Sequence, residues 1–415
     1  MVGLSVIIML MITVISYIVT RTMFASAVMF SGFWLMIVLG TVFNFYELGE
    51  VADYAYLMVI VGCLSFCLSA VIFFNREHNN IRRNDMAENK IKHIWQNKLA
   101  LILLGVAVVI VLVKIYIMLN VLLTLGIGAA RYSSDMSIKL IGEAEILELY
   151  FAKPYLRAFL IIFSIETFKT KINVRNMLVI AFLIILSYLE DGGRSVILYE
   201  IFCLYYLYKC YGKEMSNKIV NRVRLFAICM VFLVIYATIE RGSDVLSGFY
   251  TYYCGSLVYL SDVYNSNLFD GYTYGVTSFQ GVLRPIFGLL NIIEIPDPLL
   301  LEEANRFIMG VQDYIVWITP NDMMNYFVTC FGYFYKDFGY IGVIIMSSIY
   351  GAICGIIDNK AKNKEDEYCI ASKILMIQGI MFSMSIFCFA AFNFVMSFVY
   401  TYIIIKTSSR KLHLI

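Results

Sequence analysis

The sequence predicts an all-α polytopic membrane protein of about eleven transmembrane helices with one large external loop, and three observations carry that prediction. Of 415 residues, 61% are hydrophobic and only 15% charged, whereas a soluble domain holds about 45–50% apolar and about 25% charged residues. Mean hydropathy is +0.78. The apolar residues also fall in runs of roughly 20, the length at which a helix crosses a bilayer with its backbone hydrogen bonds closed internally. A net charge of +2 leaves no basic surplus for nucleic-acid phosphates, so nucleic acid is not an expected partner.

The first run, 3–20, has no basic stretch before it and no small-residue cleavage site after it, and reads as a retained helix instead of a signal peptide. Spans follow at 23–43, 54–75, 99–127, 150–168, 176–190, 195–208 and 225–239, and then at 337–357, 374–390 and 392–408. The chain thus divides into an N-terminal bundle, 1–239, an external loop, 240–336, and a C-terminal group of spans, 337–415.

Charge orients the connections. Residues 76–98 carry six basic and three acidic groups, and 209–224 carry five and one. Lys169, Lys171 and Arg175, and Lys406, Arg410 and Lys411 in the tail, add to the same side, which the excess of Lys and Arg marks as cytoplasmic. The alternate connections are acidic: Glu47, Glu50 and Asp53 in one, four acidic against two basic groups in 128–150, and ten acidic groups against Arg241, Arg284 and Arg306 in 240–322. These face outside, with the N-terminus outside and the C-terminus cytoplasmic. Four of the five prolines, Pro285, Pro296, Pro298 and Pro320, lie in the long loop, where they mark irregular structure. Within that loop 249–260 and 282–295 are apolar enough for short interfacial or re-entrant helices, and 139–151 reads as an amphipathic helix on the outer leaflet. No repeat relates the two halves, which weakens a transporter reading.

The ten cysteines sit mostly inside apolar runs and show no CxxC or Cys/His spacing, so neither a zinc site nor a disulfide framework is expected. His78, His93 and His413 all fall in cytoplasmic segments, which leaves no histidine for acid–base work outside and argues against a histidine-dependent ligase or acyltransferase. Lys114, Arg157, Glu166 and Glu200 lie within spans, where an ionisable group needs a partner, a cavity or a route to the interface. Between two closely spaced spans stands Asp191-Gly192-Gly193-Arg194-Ser195, a tight hairpin tip. Arg194 next to a helix start suits an anion such as a phosphate or diphosphate at headgroup depth, and equally suits a lipid-headgroup anchor. Arg241, Arg284 and Arg306 offer the same choice between a substrate anion and the loop carboxylates. Tyrosines Tyr250, Tyr252, Tyr253, Tyr259, Tyr264, Tyr272 and Tyr274 crowd the loop, as sugar-stacking rings or as an interfacial belt. Asp191, Glu240, Asp244, Asp262, Asp270 and Asp337 are the carboxylates available as a base.

Three segments resemble the Wzy-type oligosaccharide repeat-unit polymerases of O-antigen and capsule synthesis: Gly193-Arg194-Ser195; Tyr252-Tyr253-Cys254-Gly255-Ser256 through Leu260-Ser261-Asp262 with Gly271-Tyr272-Thr273-Tyr274; and Phe331-Gly332-Tyr333-Phe334-Tyr335-Lys336-Asp337-Phe338-Gly339-Tyr340-Ile341-Gly342, which is similar to that family's Tyr-x-Asp-Phe-Gly-x-x-Gly entry into a span. Asp191-Gly192 departs from the small polar residues more usual before the arginine. The resemblance implies a GT-C-like fold in a bacterial cytoplasmic membrane and transfer between undecaprenyl-diphosphate-linked oligosaccharides on its outer face, beside a flippase and a chain-length regulator as partners. It implies no cofactor and no metal. Arg194 and Arg284 would hold the diphosphate, with Arg241, Arg157 and Arg306 behind them, Tyr253 and Tyr272 would contact sugar, and Asp262 would take the acceptor proton. A lipid-linked oligosaccharide flippase or another polytopic transporter is the alternative, and a non-catalytic membrane scaffold the third.

Overall fold

The computed structural model describes residues 2–75, 94–116, 147–170, 172–191, 194–212, 217–239, 245–291, 294, 296–362 and 366–409. Among these the chain is helical apart from loops and one short ribbon. The helices are α1 (Val2–Thr20), α2 (Ser26–Phe43), α3 (Asp53–Asn75), α4 (Lys98–Tyr116), α5 (Lys153–Lys169), α6 (Val174–Asp191), α7 (Arg194–Tyr211), α8 (Asn217–Ile239), α9 (Val245–Tyr264), α10 (Gln280–Asn291), α11 (Leu299–Asp313), α12 (Thr329–Ala361), α13 (Glu367–Phe382) and α14 (Phe392–Ser409). Strands β1 (Val316–Trp317) and β2 (Met323–Met324) pair antiparallel.

The fold is that of an all-α membrane protein. Five helices, α1, α2, α3, α4 and α12, are long and apolar enough to cross a bilayer. The other expected segments fall on helices of a different character: α5 has 17 residues, while α6 (Arg175, Glu190, Asp191) and α7 (Arg194, Glu200, Lys209) each place three charges within 18 residues. One expected span is shorter than the sequence implied. The run 374–390 is helical only to Phe382, after which the chain turns at 383–385 and forms a 3-10 turn at Cys388–Ala390. The expected amphipathic helix at 139–151 is described only from 147, where a π-helical turn, Glu148–Ala152, leads directly into α5.

By packing, the chain forms two units that interleave in sequence. The first draws on Met1–Asn79, Leu246–Lys362 and Met376–Val395, the second on Asn80–Val245, Asn363–Leu375 and Met396–Ile415.

In the first unit α3 and α12 form the most extensive helix pair. A Cβ at Gly351 would collide with the Phe66 carbonyl and one at Gly355 with the Ala70 carbonyl, so these two positions, one helical turn apart, let the backbones touch. Around this contact sits an aromatic core. Phe30 stacks on Phe66 at 4.1 Å between ring centroids, and Trp34, Phe331, Tyr350 and Phe387 close around them edge-on or tilted. Two buried polar pairs lie near this core: the Trp34 indole donates to Ser383 Oγ (3.1 Å), and the Asp358 carboxylate accepts from the Ser26 backbone N–H (2.6 Å) and hydroxyl (2.9 Å). Asp358 on α12 thereby caps the start of α2, where free N–H groups favour an anion. At the same end Lys362 donates to the Phe74 carbonyl (2.7 Å) and lies over the Phe74 ring.

The second unit is built round α5, whose residues from Pro154 to Phe168 are buried on nearly every side. Tyr155 donates to the Ala100 carbonyl of α4 (2.8 Å), and Tyr400 of α14 to the Tyr150 carbonyl (3.1 Å). Three ion pairs bring opposite charges together in it, which offsets the cost of burying them. Lys114 pairs with Glu148, Lys153 with Glu190 (3.7 Å) and Lys169 with Glu367 (2.9 Å). Glu166, nine residues after Arg157, accepts the Ile94 N–H at 2.9 Å.

Candidate functional site

The segment between α9 and α12 supplies the site. It leaves α9 after Tyr264, makes a 3-10 turn at Asn267–Phe269, and winds through Gly271–Phe279 before α10 begins. What fixes this winding is the junction Lys336-Asp337 in α12. Asp337 is fully buried; one carboxylate oxygen accepts from Thr273 Oγ1 (2.7 Å) and the Thr277 N–H (3.1 Å), and the other from the Ser278 N–H (3.1 Å). The Thr273 and Tyr274 N–H groups donate to the carbonyls of Lys336 (3.2 Å) and Asp337 (3.1 Å). A buried ionised carboxylate is tolerable when several donors surround it, and here three do.

Lys336, 2% exposed, reaches the Asp270 carbonyl (2.5 Å) and Glu303 of α11 (3.2 Å), and lies over the Phe307 ring. Adjacent Lys336 and Asp337 thus tie both flanks of the winding and α11 to one point of α12. Directly after it the helix breaks: Phe338 has φ −148° and Gly339 φ +64°, a left-handed conformation that a side chain disfavours. A Cβ at Gly339 would also stand 3.1 Å from the Tyr272 hydroxyl, so the loop rests on bare backbone there.

Of the residues expected to act, the first unit holds Tyr253, Asp262, Tyr272, Arg284 and Arg306. Asp262, on α9, is exposed. Burial and the neighbouring Asp262 charge both raise the Tyr314 phenol. Tyr272 is 48% exposed. Tyr253 is half-buried, its ring edge-on to Phe33 at 6.0 Å. Arg284 on α10 and Arg306 on α11 are both exposed, on helices tied together through Gln280 and Asn305, and Gln280 lies one turn before Arg284. Arg157, on α5, belongs to the second unit. Arg194 begins α7, but its side chain, like Asp191's, lies outside the description, and Gly192, Gly193 and Arg241 lie outside the described residues altogether.

Several residues that shape the site did not stand out from the sequence as a group. Thr273, Thr277 and Ser278 are unremarkable polar residues until Asp337 is set opposite them. Tyr54, Tyr335 and Tyr340 come from helices α3 and α12 yet meet Tyr264 of α9: Tyr54 and Tyr264 rings lie 4.2 Å apart, Tyr264 and Tyr335 5.1 Å, and Tyr335 and Tyr340 5.2 Å. Among the described residues no three His, Cys, Asp or Glu side chains are grouped to hold a metal ion. The chain matches no family model, no curated protein and no solved structure.

Proposed function

We propose that this protein is a polysaccharide polymerase that joins undecaprenyl-diphosphate-linked oligosaccharide repeat units on the outer face of the bacterial cytoplasmic membrane, with about eleven spans, an outside N-terminus and a cytoplasmic C-terminus. The observation that carries the reading is convergence: two of the three segments that resemble Wzy-type polymerases are hydrogen-bonded to one another, Thr273 and Tyr274 donating to the carbonyls of Lys336 and Asp337. Those motifs form one local structure and are not scattered matches.

In this reading the donor is a glycan chain on a lipid diphosphate, which already is a good leaving group. The site needs cations where negative charge grows on the departing diphosphate and a carboxylate to accept the proton of the attacking hydroxyl. Arg284 and Arg306, exposed on the tied helices α10 and α11, supply bidentate donors suited to phosphate. Arg194 at the start of α7 is a further candidate for the diphosphate. Asp262, exposed at the loop end of α9, would be the carboxylate that takes the proton. The glycosidic bond forms as the diphosphate leaves.

The test is glycan length in cells depending on this chain, with Arg194→Ala, Arg284→Ala and Arg306→Ala compared with the matching Lys variants at equal membrane levels. The expected result is a surface glycan reduced to single repeat units for the Ala variants. Full-length polymer from all three would remove the diphosphate role, and lipid-linked units trapped inside the cell would make the protein a flippase.

A further inference from the structure

Five tyrosines from four parts of the first unit gather at one place. Tyr54 opens α3, Tyr264 closes α9, Tyr272 stands in the winding loop, and Tyr335 and Tyr340 flank the break in α12. The hydroxyls of Tyr264 and Tyr335 are 3.1 Å apart, the Tyr340 ring stands 5.2 Å from that of Tyr335, the Tyr54 hydroxyl donates to the Ser261 carbonyl, and the Tyr272 hydroxyl lies against Gly339 at the break. The Asn265 amide donates to the same Ser261 carbonyl as Tyr54 (3.3 Å), and Asp262 is the next residue along the chain. Tyr272 is 48% and Tyr340 42% exposed, whereas Tyr54, Tyr264 and Tyr335 are half-buried behind them.

An interfacial belt has separate rings facing lipid with their hydroxyls in the headgroups. Here the rings of Tyr54, Tyr264, Tyr335 and Tyr340 instead pack in a chain, tilted between Tyr54 and Tyr264 (32°) and edge-on between Tyr335 and Tyr340 (85°), with Tyr272 on the Gly339 backbone beside them. The result is an apolar floor studded with hydroxyls and flanked by a carboxylate and an amide. That combination matches a pyranose, which has apolar C–H faces and a rim of hydroxyls and is neutral overall. We propose that the cluster of Tyr54, Tyr264, Tyr272, Tyr335 and Tyr340, with Asn265 beside it, is a binding platform for a sugar ring of the oligosaccharide. The proposal rests on the polymerase reading for the origin of that sugar. Its position beside Asp262, the expected base, places the bound ring next to the proton acceptor.

The test uses the full-length protein in detergent and, as probe, oligosaccharides of one and two repeats released by mild acid from the surface glycan of the cells that make it, read by saturation-transfer NMR. Saturation on the sugar protons is expected with the native chain. Tyr272→Ala and Tyr340→Phe, the first removing a ring and the second only a hydroxyl, are expected to weaken it about tenfold. Tyr17→Ala, an exposed tyrosine on α1, is expected to leave it unchanged. Saturation strongest on the non-reducing end marks the acceptor's sugar, and strongest on the reducing end the donor's. Equal saturation in all variants, or none with the native chain, overturns the platform. Glycan length in the arginine variants is read separately, so a polymerase with no tyrosine platform and a sugar-binding protein that is not a polymerase give different results.

Discussion

Asp337 is the residue on which most of the local structure depends. Its three donors come from a stretch of only six residues, Thr273 to Ser278, so removing the carboxylate takes the acceptor from two buried backbone N–H groups, while the Thr273 hydroxyl keeps the Thr277 hydroxyl at 2.7 Å. Hydrogen bonds to a charged group contribute about 1.5–3 kcal/mol each. Asp337→Ala is expected to lower the melting temperature of the purified protein and to open 270–279 to limited proteolysis, with Asp337→Asn intermediate. Gly339→Ala attacks the same junction through the backbone: a left-handed non-glycine residue costs on the order of 1–3 kcal/mol, and its new methyl meets Tyr272. Thermal unfolding of Gly339→Ala and of Ile341→Ala, an exposed neighbour, separates the backbone effect from simple loss of surface. The sequence made Asp337 and Gly339 visible as parts of a motif but hid their partners. Thr273, Thr277 and Ser278 lie some 60 residues away in the chain, and hydrogen bonds across that separation leave no periodic trace.

At the scale of elements, apolar run length located the helices well because burial and backbone satisfaction act over contiguous residues. It misjudged 374–390, where Ser383 and Ser385 follow Phe382. Their carbonyls accept from Cys330 and Thr329 at the start of α12, so tertiary hydrogen bonds end α13 although the composition would carry it on. The α3–α12 contact was likewise unread, since glycines at 351 and 355 acquire meaning only against Phe66 and Ala70. Gly355→Leu is expected to force the two helices apart and cost several kcal/mol, comparable with severe overpacking, whereas Gly105→Leu, with open space around it, is expected to be neutral. The yield of folded protein in membranes distinguishes the two.

For the whole molecule, charge counting gives a side to every connection, and cysteine labelling tests it. Among the ten native cysteines eight are buried, Cys210 is partly so, and Cys229 is exposed. A Cys229→Ala background is therefore quiet. In it Trp317→Cys on the β-ribbon is expected to react with an impermeant maleimide in intact cells, and Lys406→Cys only after permeabilisation. Reversed accessibility would move the proposed site to the cytoplasm and end the polymerase reading. Fold class and much of the helix layout were legible from composition alone. The site was legible in part, because its charges are long-range signals while its aromatic floor is assembled from α3, α9 and α12, which are distant in sequence.

The part of α12 beyond its break is bracketed by two carboxylates: Asp337 just before the break grips the 273–278 turn, and nineteen residues beyond Gly339 Asp358 grips the start of α2. That stretch rises about 28 Å at 1.5 Å per residue, close to the hydrocarbon thickness of an ordinary bilayer. That part of the helix is thus a gauge of fixed length fastened at both limits, unable to slide without releasing one of them. Thickness of the surrounding lipid becomes a control on the protein. In vesicles of short-chain lipid, mismatch strain falls on the two fastenings, and the 270–279 loop is expected to loosen first where lipid of matched thickness keeps it seated.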